Sequence, residues 1–263
     1  MGGKTRLLPQ LLPLLPPGAD SMRHVEPFVG GGAMFFSRRP QRALLCDKNA
    51  DLCATYETVR DNVEALIVQL QALAADHSAE RYYELRTRYN GAVDLPRVER
   101  AALFIYLNKT CFNGLHRVNR RGEFNVPAGR YQDPRILDEA ALRLASNELA
   151  RAEICCGGFE RLLEHATSGD FVYLDPPYEP ASKTADFTRY EQDGFTREDQ
   201  VRLRYVFSEL DRRRCKLMLS NSDVPFIHEL YRGFHIDLVT SPRSINSDSA
   251  GRGLVTEVVV RNY

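Results

Sequence analysis

The chain has no tryptophan and only 4 methionines among its 263 residues, so any flat aromatic contact must come from Phe or Tyr. Its 6 cysteines, at 46, 53, 111, 155, 156 and 215, include no Cys-x-x-Cys pair. That excludes the usual zinc spacings and argues against a disulfide framework; buried free thiols are expected. Net charge is zero, with 35 basic and 35 acidic residues, so global charge does not announce nucleic acid. No long apolar run is present. The Leu7–Pro17 stretch is too short to span a bilayer and is broken by Pro9, Pro13, Pro16 and Pro17. It also lacks the continuous apolar core of a signal peptide. A soluble, cytoplasmic protein without a membrane segment is expected. His24, His77, His165, His228 and His235 are scattered, with no carboxylate or metal partner suggested by spacing. Neither Gly-x-Gly-x-x-Gly nor a Gly-Lys-Ser/Thr loop occurs.

What is present centres on Asp175-Pro176-Pro177-Tyr178, which follows the apolar run Phe171–Leu174. That run predicts a buried parallel strand, whose carboxyl end is where open α/β sheets bind ligands. Two prolines cannot continue a strand ladder, and each restricts the residue before it, so the loop should be stiff. The Asp175 oxygens and the carbonyl of Pro176 or Pro177 can converge as acceptors for an exocyclic amine. Tyr178 is expected to be exposed and to offer a face for stacking a base. Taken alone, the same residues also fit a strand-terminating turn.

Strand-like and helix-like segments alternate at both ends of the chain, which predicts an α/β fold with a mostly parallel, helix-flanked sheet. Strands are expected at Arg23–Glu26, Ala43–Cys46, Ile154–Cys156, Phe171–Leu174, Lys216–Leu219, Ile236–Val239 and Val255–Val260. Between about Thr55 and Ala145 the strand signal fades. Asp61–Ala75, Ala79–Tyr89 and Arg97–Leu107 have helical apolar spacing. Residues 113–131 are rich in Gly, Asn and Arg and read as a loop or hairpin. Phe104 to Arg135 carries six basic residues (Lys109, Arg117, Arg120, Arg121, Arg130, Arg135) against Glu123 and Asp133, a local excess suited to phosphates. The expected organisation is a catalytic domain over 1–55 and 146–263, with an inserted helical domain over 56–145 whose basic hairpin or loop spans 109–131.

Gly30-Gly31-Gly32 follows the first strand and lets the backbone turn sharply near a ligand; a purely structural turn is the alternative. Asp47 ends the second strand, where such folds place an acid on a ribose diol. A helix N-cap, from Asp47 or Asn49, is the other reading.

Several segments then occur in a telling order: Gly2-Gly3-Lys4, Glu26 to Gly32, Asp47, Asn108 to Leu115, Arg117-Val118-Asn119, Phe124 to Pro127, Gly129-Arg130-Tyr131 and Asp175 to Tyr178. Likeness continues through Phe195-Thr196, Leu219 to Ser222 and Glu257 to Tyr263. The chain resembles the Dam-type (D12 class) site-specific DNA adenine-N6 methyltransferases from end to end. The resemblance implies a Rossmann-like methyltransferase sheet with an inserted helical target-recognition domain, and S-adenosylmethionine as methyl donor. It implies a cofactor site lined by Lys4, Phe28, Gly30, Gly31, Gly32, Asp47 and Asp175. Phe159 is either an aromatic contact to the cofactor's adenine or a core residue.

The implied chemistry needs no metal and no covalent intermediate. The target adenine is flipped out of the duplex, Tyr178 stacks on it, and Asp175 with a proline carbonyl accepts hydrogen bonds from N6. In the insert, Arg117 has the chemistry for a bidentate contact to guanine. Phe112 is placed to wedge into the stack, Asn113 to meet the orphaned partner base, and Asn119 falls in the same DNA-binding motif. Lys109, Arg130 and Tyr131 are expected on phosphates. Double-stranded DNA with a GATC target is the implied partner, and no obligate protein partner is evident. Two alternatives stand: N6 methylation of RNA adenine, and a non-catalytic DNA-binding relative. One departure bears on the second. The family motif normally opens with Lys-Trp just before Gly-Gly-Lys, and this chain reads Met1-Gly2-Gly3-Lys4. Either the start lies downstream of the true one or the variant binds cofactor more weakly; a shortened front, with measurable but reduced affinity for S-adenosylmethionine, is expected. Ser220-Asn221-Ser222 is read as a turn after a strand, and Arg243 and Arg252 as weaker candidates for phosphate.

Overall fold

The computed structural model describes residues 4–91, 94–180, 195–242 and 254–263. Gly2, Gly3, Arg243 and Arg252 lie outside them. The chain divides into two compact units, one over Asn49–Cys156 and the other over Gly3–Lys48 and Gly157–Tyr263.

The second unit carries β1 (His24–Glu26), β2 (Ala43–Asp47), β4 (Phe171–Leu174), β5 (Lys216–Ser222), β6 (His235–Pro242) and β7 (Leu254–Arg261). These six of the seven strands run in the order β2-β1-β4-β5-β7-β6. β1 pairs in parallel with β2 and β4, and β4 with β5. The final β6–β7 hairpin is antiparallel and joins through β5. Every residue of β1 and β4 is buried; β4 is the continuous apolar run expected of a parallel strand covered on both faces, whereas β1 buries His24 and Glu26. The sequence reverses direction across the sheet between β1 and β4. Their carboxyl ends therefore flank a topological switch point, where such sheets leave a crevice.

The proline-broken Leu7–Pro17 stretch closes part of the core. It forms α1 (Leu8–Leu11) and a 3-10 turn (Leu12–Leu14). Leu7 and Leu11 pack with Met34, Phe171, Tyr173, Met218, Val239 and Val259, and Leu8, Leu12, Leu14 and Leu15 lie against that cluster. Its apolar character is thus spent on the sheet. Among the described residues no helix is long and apolar enough to cross a membrane.

α2 (Ala33–Arg38) starts directly after the glycine turn, where Gly30 and Gly32 have φ of +47° and +64°. Those left-handed angles are cheap only for glycine. In the helical unit, α3 (Ala50–Asp61), α4 (Val63–Ala75), α5 (Ala79–Gly91), α6 (Arg97–Thr110) and α7 (Glu139–Leu149) precede β3 (Ala152–Cys156). The expected Asp61–Ala75 helix is really the end of α3 and all of α4. Asn62, at φ −137°, leaves helical geometry between them. Asn49 caps α3, its side chain accepting from the N–H groups of Asp51 and Leu52.

The 111–131 segment is a hairpin-like loop. Cys111 bridges Ala128, and Val118 bridges Phe124. α5 pins it from within: the Tyr82 hydroxyl and Arg86 Nη1 donate to the Val126 carbonyl at 2.8 and 2.9 Å. The Asn90 amide donates to the Phe124 carbonyl and accepts from its N–H.

Back in the second unit, α8 (Leu162–His165) precedes β4, and α9 (Arg197–Arg212) and α10 (Pro225–Leu230) flank β5. α9 opens with a reciprocal capping box between Thr196 and Asp199. It buries Leu203, Val206, Phe207 and Leu210 at helical spacing. Ser220 and Asn221 correct the expectation of a turn, since both are buried within β5. Four cysteines are buried, but Cys155 is half-buried and Cys156 is exposed, and none of the six is in a disulfide.

Candidate active site

Three strand ends stand side by side in the sheet unit: β2 with Asp47, β1 with Glu26, and β4 with Asp175. The Asp175 carboxylate lies 3.0 Å from the Lys4 ammonium, which also reaches Glu257 at 3.3 Å. Lys4 hydrogen-bonds the Tyr178 hydroxyl, and its ammonium stands 3.9 Å from the centre of that ring. The hydroxyl in turn donates to Glu257 Oε2 at 2.7 Å. Tyr178 is therefore half-buried, not exposed. One ring face carries a cation, and the hydroxyl is held by a carboxylate at the sheet's last strand.

Burial pushes Asp175 up to about 6, against the pull of Lys4 and with help from Glu26 and Glu257. Burial and the neighbouring Asp175 and Glu257 also raise the Tyr178 hydroxyl, which stays protonated. The Pro177 carbonyl accepts from Gln200 Nε2 at 3.0 Å.

Beside this cluster, the glycine loop is open: a side chain built at Gly30 or Gly31 would meet nothing within 4 Å. The Gly30 N–H donates to Asp47 Oδ2 at 3.1 Å. The rings of Phe28, Phe159 and Phe195 form a mutual cluster with centroids 5.6–5.8 Å apart. Phe159 is buried within it, and Phe28 is half-buried.

Nearby lies a polar trio that sequence spacing concealed, with His24 and Glu26 buried and Arg38 half-buried. Arg38 donates to His24 Nδ1 at 2.8 Å. A guanidinium can only donate, so the His24 proton sits on Nε2, which reaches Glu26 Oε2 at 2.9 Å. Burial drives His24 down, with Arg38 adding to it, and raises Glu26 to about 8. The reading that no histidine has a carboxylate partner is thus corrected. His24 and Glu26 are two apart on one strand and so share a face. His228 also meets Asp223, at 2.7 Å.

In the helical unit, the hairpin-like loop gathers most of the expected DNA contacts. Phe112 and Tyr131 are 47% and 45% exposed, and Lys109, Asn113 and Arg130 are also on the surface. Arg117 is half-buried. Its Nε donates to Asn125 Oδ1 at 2.7 Å, which fixes the plane of the guanidinium. Asn119 is committed to the turn: its Nδ2 donates to Glu123 and its Oδ1 accepts from the N–H groups of Arg121 and Glu123. The His116 ring lies against Phe104 and Phe124.

Comparison with known proteins decides the family. The family model described as D12 class N6 adenine-specific DNA methyltransferase matches residues 1–245. The chain belongs to this family. It is similar to the type II methyltransferase M1.LlaDCHI of Lactococcus lactis subsp. cremoris, at 43% identity over 100% of this chain and 93% of that one. M.MjaIII of Methanocaldococcus jannaschii is 41% identical, covering 100% and 96%. The DNA adenine methylase of Escherichia coli K12 is 36% identical, covering 98% and 91%. The protein is accordingly an adenine-specific DNA methyltransferase with a mixed α/β, mostly parallel sheet of Rossmann-like type.

For a D12 methyltransferase, the residues that sequence reasoning missed are instructive. Glu257 was visible only as part of a terminal motif. Asn221 was visible only within a motif read as a turn, and Gln200, on the first turn of α9, gave no signal, because no sequence period links either amide to Asp175. His24-x-Glu26 did carry one, the two-residue repeat of a strand face. Among the described residues no group of three or more His, Cys, Asp or Glu is arranged to hold a metal ion.

Proposed function

We propose that the sheet unit binds S-adenosylmethionine and methylates N6 of an adenine flipped out of duplex DNA, and that the helical unit reads a GATC target. The observation that carries this reading is the pairing of an open glycine loop with Asp175-Pro176-Pro177-Tyr178 at neighbouring carboxyl ends of β1 and β4.

The residues fit a cationic, nucleoside-bearing donor. Asp47 offers a carboxylate for a ribose diol, and half-buried Phe28, backed by the buried Phe159 ring, offers aromatic surface for an adenine. Glu26 and Asp175 are both acids raised by burial. A positive ligand beside them offsets that cost, as an opposite charge favours the ionised carboxylate. Lys4 already does part of this for Asp175. When bound, S-adenosylmethionine supplies an electrophilic methyl group.

The chain's own groups act on the adenine. Asp175 accepts a hydrogen bond from the N6 amino group, stabilising positive charge as it develops there. The Pro177 carbonyl is held by Gln200, and the Pro176 carbonyl, next to Asp175, is assigned as the second acceptor. Lys4 covers one face of Tyr178, and the flipped base stacks on the other. In the helical unit, Arg117 contacts guanine with its orientation set by Asn125. Phe112 wedges into the stack, Asn113 meets the orphaned base, and Lys109, Arg130 and Tyr131 hold phosphates. Asn119 keeps the 119–123 turn at the tip of that loop.

The test is transfer of a labelled methyl group from S-adenosylmethionine to three substrates: duplex DNA with GATC, the same duplex with GATC scrambled, and RNA of the same sequence. Labelling confined to the first is expected. Equal labelling of the scrambled duplex removes the GATC assignment, and labelling of RNA alone removes the DNA reading.

A further inference from the structure

We propose that Gln200 and Asn221 are positioning residues, forming a one-way chain of amide hydrogen bonds that fixes the acceptor geometry of the Asp175–Tyr178 loop. The inference rests on the reading of that loop as the adenine N6 pocket.

The chain starts at Asn221, fully buried on β5. Its Oδ1 accepts from the backbone N–H groups of Glu179 at 3.0 Å and Ser222 at 2.8 Å. Backbone N–H groups can only donate, so the amide oxygen has one possible orientation. Asn221 Nδ2 then points the other way and donates to Gln200 Oε1 at 3.1 Å. Gln200 is also fully buried, on the first turn of α9. With its oxygen receiving a donor, it presents Nε2, which donates to the Pro177 carbonyl at 3.0 Å. Ser222 Oγ donates to the Glu179 carbonyl at 2.7 Å, and Arg197 Nε to the Glu179 carboxylate at 2.6 Å.

Each link is forced by the one before it. The direction set at β5 therefore reaches the proline loop without ambiguity. Two consecutive prolines have no N–H to anchor them. The Gln200 amide supplies what they lack, a polar bond that holds the Pro177 carbonyl and so sets the plane of the preceding peptide, where the Pro176 carbonyl faces N6. Because Gln200 and Asn221 are desolvated, a reversed amide places oxygen against oxygen and leaves buried groups unpaired.

Gln200→Glu tests this with almost no change in size. As a carboxylate the new side chain repels the Pro177 carbonyl; protonated, it donates again. The single-turnover rate of methyl transfer to duplex DNA, taken as a ratio to wild type at the same pH, should fall roughly tenfold near pH 8, the order expected for one hydrogen bond. The ratio should recover toward pH 6, while the Kd values for DNA and S-adenosylmethionine stay at wild-type levels. A wild-type ratio at both pH values overturns the inference, as does a loss that acid does not restore or one that tracks weakened binding. If Gln200→Glu loses its cooperative thermal transition, Gln200→Met takes its place. A roughly tenfold loss at every pH with unchanged Kd values then supports the inference, and an unchanged rate overturns it. Asp175→Ala, run in parallel, separates the two readings. An active D175A defeats the pocket assignment itself, whereas an inactive D175A beside a fully active Gln200 variant defeats only the positioning chain.

Discussion

The two units solve opposite problems with polar side chains. In the sheet unit they are half-buried or buried and bonded to one another. Lys4, Asp175, Tyr178 and Glu257 form one cluster, and Asn221, Gln200 and Pro177 form another. In the helical unit most residues offered to DNA are exposed on or beside a loop, with Arg117 half-buried, and the backbone of that loop is tied down by Tyr82, Arg86 and Asn90. Chemistry on one nitrogen rewards acceptors that do not move, because reorganisation avoided before the reaction lowers the barrier. Recognition of a duplex tolerates side chains that adjust, provided the loop beneath them keeps its register.

That contrast breaks most sharply at Asp175. Asp175→Ala should lower single-turnover methyl transfer by at least roughly 100-fold, the scale of losing a pre-organised electrostatic partner. Duplex binding, measured by fluorescence anisotropy, should stay near wild type. Parallel losses in both would mean that the units do not divide the work. Arg117→Ala probes the other unit: discrimination against substitution of one guanine should relax by about 1–3 kcal/mol in competition assays. Transfer to the cognate site under saturating DNA should change much less, and an unaltered preference would remove Arg117 from base contact.

The smallest effect sharpens the electrostatics. Asp175 accepts from N6–H most strongly, and offsets positive charge developing there, when ionised, and burial raises it to about 6. The rate should therefore fall as pH drops through about 6 and be flat above it. Lys4 lowers Asp175, so Lys4→Met should move the inflection to higher pH. An inflection that stays put would show that another group governs it.

Much of this was legible early. Phe171–Leu174 reads as a buried strand because four apolar residues before two prolines have few other options, and the strand is found there. The glycine turn announces itself, since Gly30 and Gly32 do adopt left-handed angles. The other strands agree to within three residues at either end. The break at Asn62 was missed because apolar periodicity continues across it, while the backbone does not. Tyr178 was expected to be exposed because its neighbours in sequence are polar or rigid. Its real neighbours, Lys4 and Glu257, are 174 and 79 residues away.

The sequence by itself determined the family, the strand that ends in Asp175, the glycine loop and the basic loop that carries Arg117. These are local patterns: burial runs, turn chemistry and motif order act over a few residues. The tertiary structure alone decided which proline carbonyl is held, which face of Tyr178 is covered, and where the His24 proton sits. Hydrogen-bond direction and charge pairing depend on atoms a few ångströms apart in space, and chain order does not encode that distance.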